Sequence, residues 1–172
     1  MALFVVNIGN TRVQTGIWRE GRIEDFRQQL RDDFEPDAQL PSELPVAAAC
    51  VVPAARSRFT RDGIFWLHSG VATGLDLGGV SGIGADRLAN AIALRDACPD
   101  RNALCLDCGT AITWEAVDAN GRLRGGAIAP GRRLMRRALH EYTAQLPLLE
   151  MDNSEPPEIG ADTATAIRCG VD

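Results

Sequence analysis

From Phe4 the chain opens on an apolar run, FVVNIG, that breaks at Asn7 and a Gly-Thr turn (Gly9, Thr11) and resumes as a strand. It turns again at Glu20-Gly21 and resumes a third time. This pattern predicts strand, turn, strand, turn, strand. The same plan recurs at 104–113, where LCLDCGTAIT delivers Asp107 into a second Gly-Thr turn. It continues through WEAVD, an Asn120-Gly121 turn and RLRGGAIAP. Two copies of one unit predict two halves, 1–99 and 100–172, whose polar turns face each other across a cleft.

Between the copies, 24–44 is polar and carries Pro36 and Pro41, with Pro45 just beyond, which predicts a short helix followed by a loop. VAAACVVP at 46–53 reads as a strand buried on both faces and closed by proline. A helical turn is expected over 54–60 and a short strand in GIFWLHSG, with His68 at its end. A Gly-rich loop over 75–83 leads to Gly84-Ala85-Asp86-Arg87, which opens a helix. Ala85, Leu88, Ala89, Ile92 and Ala93 form its apolar face and Pro99 stops it. Gly131 opens a further helix with Leu134, Met135, Ala138, Leu139 and Tyr142 inside and the arginines at 132, 133, 136 and 137 mostly in solvent. A last helix is capped by Asp162 or Thr163.

Composition narrows the chemistry. The 172 residues are 45% hydrophobic and 24% charged, enough for one or two small domains with a real core. No apolar run reaches membrane-span length, and Met1 leads directly into a strand, so a cytoplasmic location without membrane attachment is expected. The five cysteines are odd in number and irregularly spaced, and Cys105 and Cys108 point to opposite faces of a strand. They are expected to act as small buried hydrophobes. All 18 basic residues are arginine. That excludes a P-loop lysine, a Schiff-base lysine and a lysine general base. The net charge of −5 argues against nucleic acid as a partner.

The candidate chemistry sits at the turns. Gly9 and Gly109 let backbone amides approach a ligand, Thr11 and Thr110 add hydroxyls, and Asp107 can hold a cation. Asp86 lies in the first turn of its helix, where capping alone would explain a carboxylate. Arg87 beside it also suits a small anionic substrate.

Taken in order, IGNT, the VVP strand end, Gly-Ala-Asp-Arg, Asp-x-Gly-Thr-Ala-x-Thr, Gly-Gly-Ala-Ile-x-Pro-Gly, TAQLP and Ile-Gly-x-x-Thr resemble the type III pantothenate kinases. These belong to the acetate kinase, sugar kinase, Hsp70 and actin superfamily. The resemblance implies an α/β fold of duplicated ribonuclease H-like (actin-like ATPase) halves, with mixed sheets flanked by helices. The second half is expected to be incomplete and the C-terminus short. It also implies ATP-dependent phosphorylation of pantothenate to 4′-phosphopantothenate, the first step of coenzyme A biosynthesis, in a homodimer that uses ATP, Mg²⁺ and a monovalent cation (K⁺ or NH₄⁺). Asp86 would be the general base, with Gly84, Ala85, Asp86, Arg87 and Thr163 holding pantothenate. The opening turn (Asn7, Ile8, Gly9, Asn10, Thr11, Arg12, Val13, Gln14) and Thr110 would hold ATP, and Asp107 the cation.

Where the family's first turn carries aspartate and, seven residues on, lysine, this chain has Asn7 and Gln14. The position of a frequent aromatic substrate contact is Leu77. These departures make a catalytically weak or inactive kinase-like binding or regulatory protein the alternative. A ribonuclease H-like nuclease would instead require Asp86, Asp107 and Glu115 to converge on metal ions.

Overall fold

The computed structural model describes residues 1–172. Contacts divide it into two compact units, one of Met1–Cys105 with Glu115–Gly126, the other of Leu106–Trp114 with Ala127–Asp172.

The first unit is built on a five-stranded sheet of β1 (Ala2–Ile8), β2 (Arg12–Arg19), β3 (Arg22–Leu30), β4 (Val46–Cys50) and β5 (Phe65–Trp66). Their order is β3-β2-β1-β4-β5. β1, β2 and β3 form an antiparallel meander, and β4 joins β1 in parallel through a crossover. β5 lies parallel to β4. A second sheet holds β6 (Ala103–Cys108), β7 (Ala111–Val117) and β8 (Leu123–Pro130) in the order β6-β7-β8. It repeats the sequential order of the first three strands, as the duplicated pattern predicts. The Asn120-Gly121 turn closes between β7 and β8, with the Gly121 amide donating to Asp118 O at 2.9 Å. Gly121 takes φ 74°, the left-handed conformation that glycine adopts without Cβ strain.

Alternation along β1 separates two faces. Val6 and Ile8 point to a core with Val13, Phe34, Val46, Ala48 and Ala55. Each Val or Ile removed from water there contributes about 1.5–3 kcal/mol. Phe59 closes this core, 5.9 Å from Phe34 and edge-on to Trp66 at 5.2 Å. Val5 and Asn7 turn to the opposite face, which α3 (Ala85–Ala97) partly covers. Leu88 and Ala91 anchor α3 in a second core with Leu75, Ile83, Val117 and Leu123.

Four expectations are corrected. The segment 24–44 is not a helix and loop throughout: β3 runs on to Leu30, and only Pro36–Gln39 (α1) is α-helical. β3 is an edge strand exposed along nearly its whole length, so its sequence lacks the one-sided apolar alternation that marks a half-buried strand. The helical turn over 54–60 is confined to α2 (Pro53–Arg56). None of the cysteines is fully buried; all five are free thiols, and Cys108 is exposed.

The fourth correction concerns α4 (Arg132–Glu141): Arg136 is buried and Tyr142 is exposed. Arg136 enters the interior because its Nη2 donates to both carboxylate oxygens of Asp172, at 2.8 and 2.6 Å. Asp172 follows α5 (Thr163–Val171) and also accepts from Arg132 Nε at 2.7 Å. The Arg132 hydrogen bond comes first among the causes that hold the Asp172 carboxyl below the usual aspartate range, against the opposing effect of burial. Asp162 caps α5, accepting from the Thr165 amide at 2.8 Å, while Thr165 Oγ1 accepts from the Asp162 amide.

Candidate active site

The first turn of α3 begins at Gly84, whose backbone is extended, and the helix starts at Ala85. Asp86 does not cap the helix. Its Oδ1 accepts from the Arg87 amide at 2.7 Å. A Cβ on Gly84 would stand 2.7 Å from that same oxygen, so glycine is what leaves room for the carboxylate. Asp86 lines a groove of about 410 Å³ over the sheet face opposite the main core. Ala47, Ala49, Ala89, Ala93 and Gly16 leave this space open because none has a side chain long enough to fill it.

Asn7 and Gln14 line the same groove. They are directly paired across β1 and β2. Asn7 Nδ2 donates to Gln14 Oε1 at 3.1 Å, and Gln14 Nε2 passes the chain to Gln28 Oε1 at 3.0 Å. The chain begins at Asn7 Oδ1, a buried acceptor with no hydrogen-bond partner. A ligand hydroxyl or a metal-bound water would satisfy it, and a phosphate oxygen would not.

The rest of the opening turn is held by backbone. The Gly9 amide donates to Arg12 O at 3.0 Å, the Arg31 amide donates to Thr11 O at 2.9 Å, and Arg31 Nη1 donates to Asn10 O at 2.8 Å. Asn10, Thr11 and Arg12 are exposed, whereas Ile8 and Val13 are buried in the core and offer a ligand only backbone.

In the second unit, Asp107 is the penultimate residue of β6, just before the Gly109-Thr110 turn, and all three residues are exposed. The Gly131 amide donates to Thr110 O at 3.0 Å. A Cβ on Gly131 would collide with the Gly109 and Thr110 carbonyls, so this glycine fixes the turn. Thr163 starts α5 and borders a groove of about 840 Å³ between α4 and α5. The structure thus groups Asn7, Gln14 and Asp86 in one unit, and places Asp107, Thr110 and Thr163 in the other.

Two side chains near Asp86 escaped the sequence reading of the kinase site. Asn90 lies one helical turn beyond Asp86 and lines the same groove, a position its i, i+4 spacing signals. Glu115 is fully buried and accepts from Arg87 Nε at 2.5 Å. Only its place in an apolar strand hinted at this.

No group of three or more His, Cys, Asp or Glu side chains is assembled to hold a metal ion. With Glu115 sealed and engaged by Arg87, the nuclease reading has no metal-binding triad.

The sequence profile described as type III pantothenate kinase matches residues 3–171. The chain belongs to the type III pantothenate kinase family. A relative named type III pantothenate kinase from Flavobacterium johnsoniae is 31% identical over 98% of this chain and 73% of its own length. One of the same name from Gloeobacter violaceus is 38% identical, over 96% of this chain and 71% of its own. Among solved structures, a Campylobacter jejuni protein described as a Baf family transcriptional activator superposes with a TM-score of 0.65 at 18% identity, covering 98% of this chain and 73% of that one. That superposition supports the shared α/β fold. No helix of this family member is long and apolar enough to cross a membrane.

Proposed function

We propose that this chain transfers the γ-phosphoryl group of ATP to the hydroxyl of pantothenate, giving 4′-phosphopantothenate and opening coenzyme A synthesis. The observation that carries the reading is the shared groove of Asp86, Asn7 and Gln14, backed by family membership. Asp86 takes the proton from the hydroxyl as it attacks. Gly84, Ala85 and Arg87 hold the substrate around that carboxylate, and Thr163 adds a hydroxyl contact. The opening turn, Asn7 to Gln14, and Thr110 hold the ATP phosphates through backbone amides and hydroxyls.

Phosphoryl transfer depends on alignment and charge neutralisation more than on covalent chemistry. A lysine-free site meets that need with arginine, amides and cations. Asp107 would hold a monovalent cation, which together with nucleotide-borne Mg²⁺ would supply positive charge to the phosphates. Asn7 Oδ1 is suited to a water of the Mg²⁺ shell, because it lacks a partner and accepts hydrogen bonds. In this reading the chain works as a cytoplasmic homodimer.

The test is ADP release with pantothenate, Mg·ATP and high potassium, against an Asp86→Asn control. Turnover that depends on pantothenate and disappears in the control supports the assignment. Equal rates in both proteins leave a kinase-like binding protein, the reading favoured by the neutral Asn7–Gln14 pair.

A further inference from the structure

Glu115 is hard to account for as a stabilising residue. It stands on β7 in a row of inward positions with Thr113 and Val117, where its side chain is 0% exposed. Its Oε2 has no hydrogen-bond partner, which leaves compensation of a sealed carboxylate to Oε1 and Arg87. A buried ion pair is commonly no more stabilising than two apolar side chains of the same volume. What such a pair does provide is geometry: a guanidinium clamped through Nε has its remaining N–H groups fixed in direction.

The clamp sits at a consequential place. The Arg87 side chain, 18% exposed, is held by Glu115, while its backbone amide holds Asp86 Oδ1 at 2.7 Å. Arg87 therefore links the buried strand to the groove carboxylate through two different groups. We infer that Glu115 is a positioning residue: by clamping Arg87 across 28 residues of sequence, it aims the guanidinium at the carboxylate of the acceptor substrate. Glu115 itself touches no substrate. The inference rests on the pantothenate kinase reading for its substrate, and it extends that site to a residue no motif of the opening turn or of α3 contains.

Glu115→Gln keeps the volume and an acceptor facing Arg87 Nε but removes the charge. Arg87 would then grip the substrate carboxylate less well in ground and transition states alike, which raises KM and spares kcat. The expected result is a pantothenate KM raised roughly tenfold, the scale of one misaimed charge-assisted hydrogen bond. The kcat and the ATP KM should stay close to wild type. Arg87→Gln should raise the same KM, and Arg87→Gln/Glu115→Gln should be no worse than Arg87→Gln alone, since Glu115 acts only through Arg87. An unchanged pantothenate KM, an equal loss in both substrates, or additive effects in the double variant would overturn the inference.

A readout without turnover separates this inference from the kinase assignment. In ¹⁵N NMR of the full chain, the Arg87 Nε–H should exchange slowly with water in the wild type and fast in Glu115→Gln. If the wild type is inactive but shows that difference, the kinase reading fails and the clamp stands. If Arg87 Nε–H in the wild type exchanges as fast as that of a solvent-exposed arginine, the clamp fails whatever the activity, including where Glu115→Gln does not fold.

Discussion

Asn7 and Gln14 face each other across the mouth of the first hairpin, joined by a 3.1 Å amide hydrogen bond. Both side chains are neutral amides, where the family resemblance implies an aspartate and a lysine. Asn7→Asp restores an anion to a site whose only constraint, the Gln14 amide, can turn to donate. The expected outcome is a fall of roughly tenfold in the Mg²⁺ concentration giving half-maximal activity, as one charge-assisted contact is gained. A metal titration of ADP release checks it, and an unchanged midpoint would place the nucleotide's cation away from Asn7.

Asp86→Asn should lower kcat/KM for pantothenate by about 10²–10⁴-fold, the range for removing a general base. Thermal stability should barely move, because Asp86 is not the cap of α3 and Gly84 already shapes its place. A pH profile of the residual rate and a melting curve separate lost chemistry from lost fold.

Gly131→Ala tests the second turn. The added methyl would meet the carbonyls of Gly109 and Thr110, backbone atoms that cannot swing aside as the end of a flexible side chain would. Overpacking of this kind costs typically about 1–3 kcal/mol. Reduced stability should come with a raised KM for ATP, measured by thermal melting and steady-state kinetics.

Acid should loosen the second unit. The hydrogen bond from Ser154 lowers the Asp152 carboxyl, the Thr165 hydrogen bonds lower Asp162, and the Arg132 hydrogen bond lowers Asp172. A group depressed in the fold contributes stability above its ordinary value, 3.8 for aspartate, and loses it as pH falls through the lower native value. Hydrogen exchange of the α5 amides should therefore accelerate below about pH 3.8. Exchange that stays flat there would show that the capping box and the arginine cluster do not hold the helix.

Asp172→Asn should be more costly than any of these. It leaves the sealed Arg136 beside Arg132 and Arg168 without a carboxylate. An uncompensated buried charge costs about 3–5 kcal/mol. Chemical denaturation would measure it.

What could be read from the sequence was local. The hairpins were visible because Gly-Thr, Glu-Gly and Asn-Gly turns punctuate short apolar runs, and α3 because its apolar positions recur at helical spacing. The groove itself was not legible: the turns suggested a cleft between two halves, whereas Asn7, Gln14 and Asp86 share a groove within the first unit. The third strand is marked by its turn, but its run to Leu30 is not legible, because an edge strand exposed on both faces has no pattern to detect. Arg136 was placed in solvent because the partner that admits it lies 36 residues away. Glu115 was missed as part of the kinase site for the same reason, its meaning depending on Arg87 at 28 residues' distance. Long-range ion pairs leave no periodicity behind.

Adjacent positions on a helix point about 100° apart. Asp86 and Arg87 exploit that divergence: the carboxylate lines the groove, while Arg87 Nε reaches back to the sealed Glu115. Inserting or deleting a single residue inside the four-residue step from Gly84 would rotate the wrong side chain into each environment. The preceding loop, with Gly78, Gly79 and Gly82 in left-handed conformations, is itself tied down, since Leu75 and Ile83 are buried in the second core and the Leu123 amide donates to Asp76 O at 2.8 Å. Chain length is therefore fixed on both sides of Gly84, by burial before it and by helical phase after it.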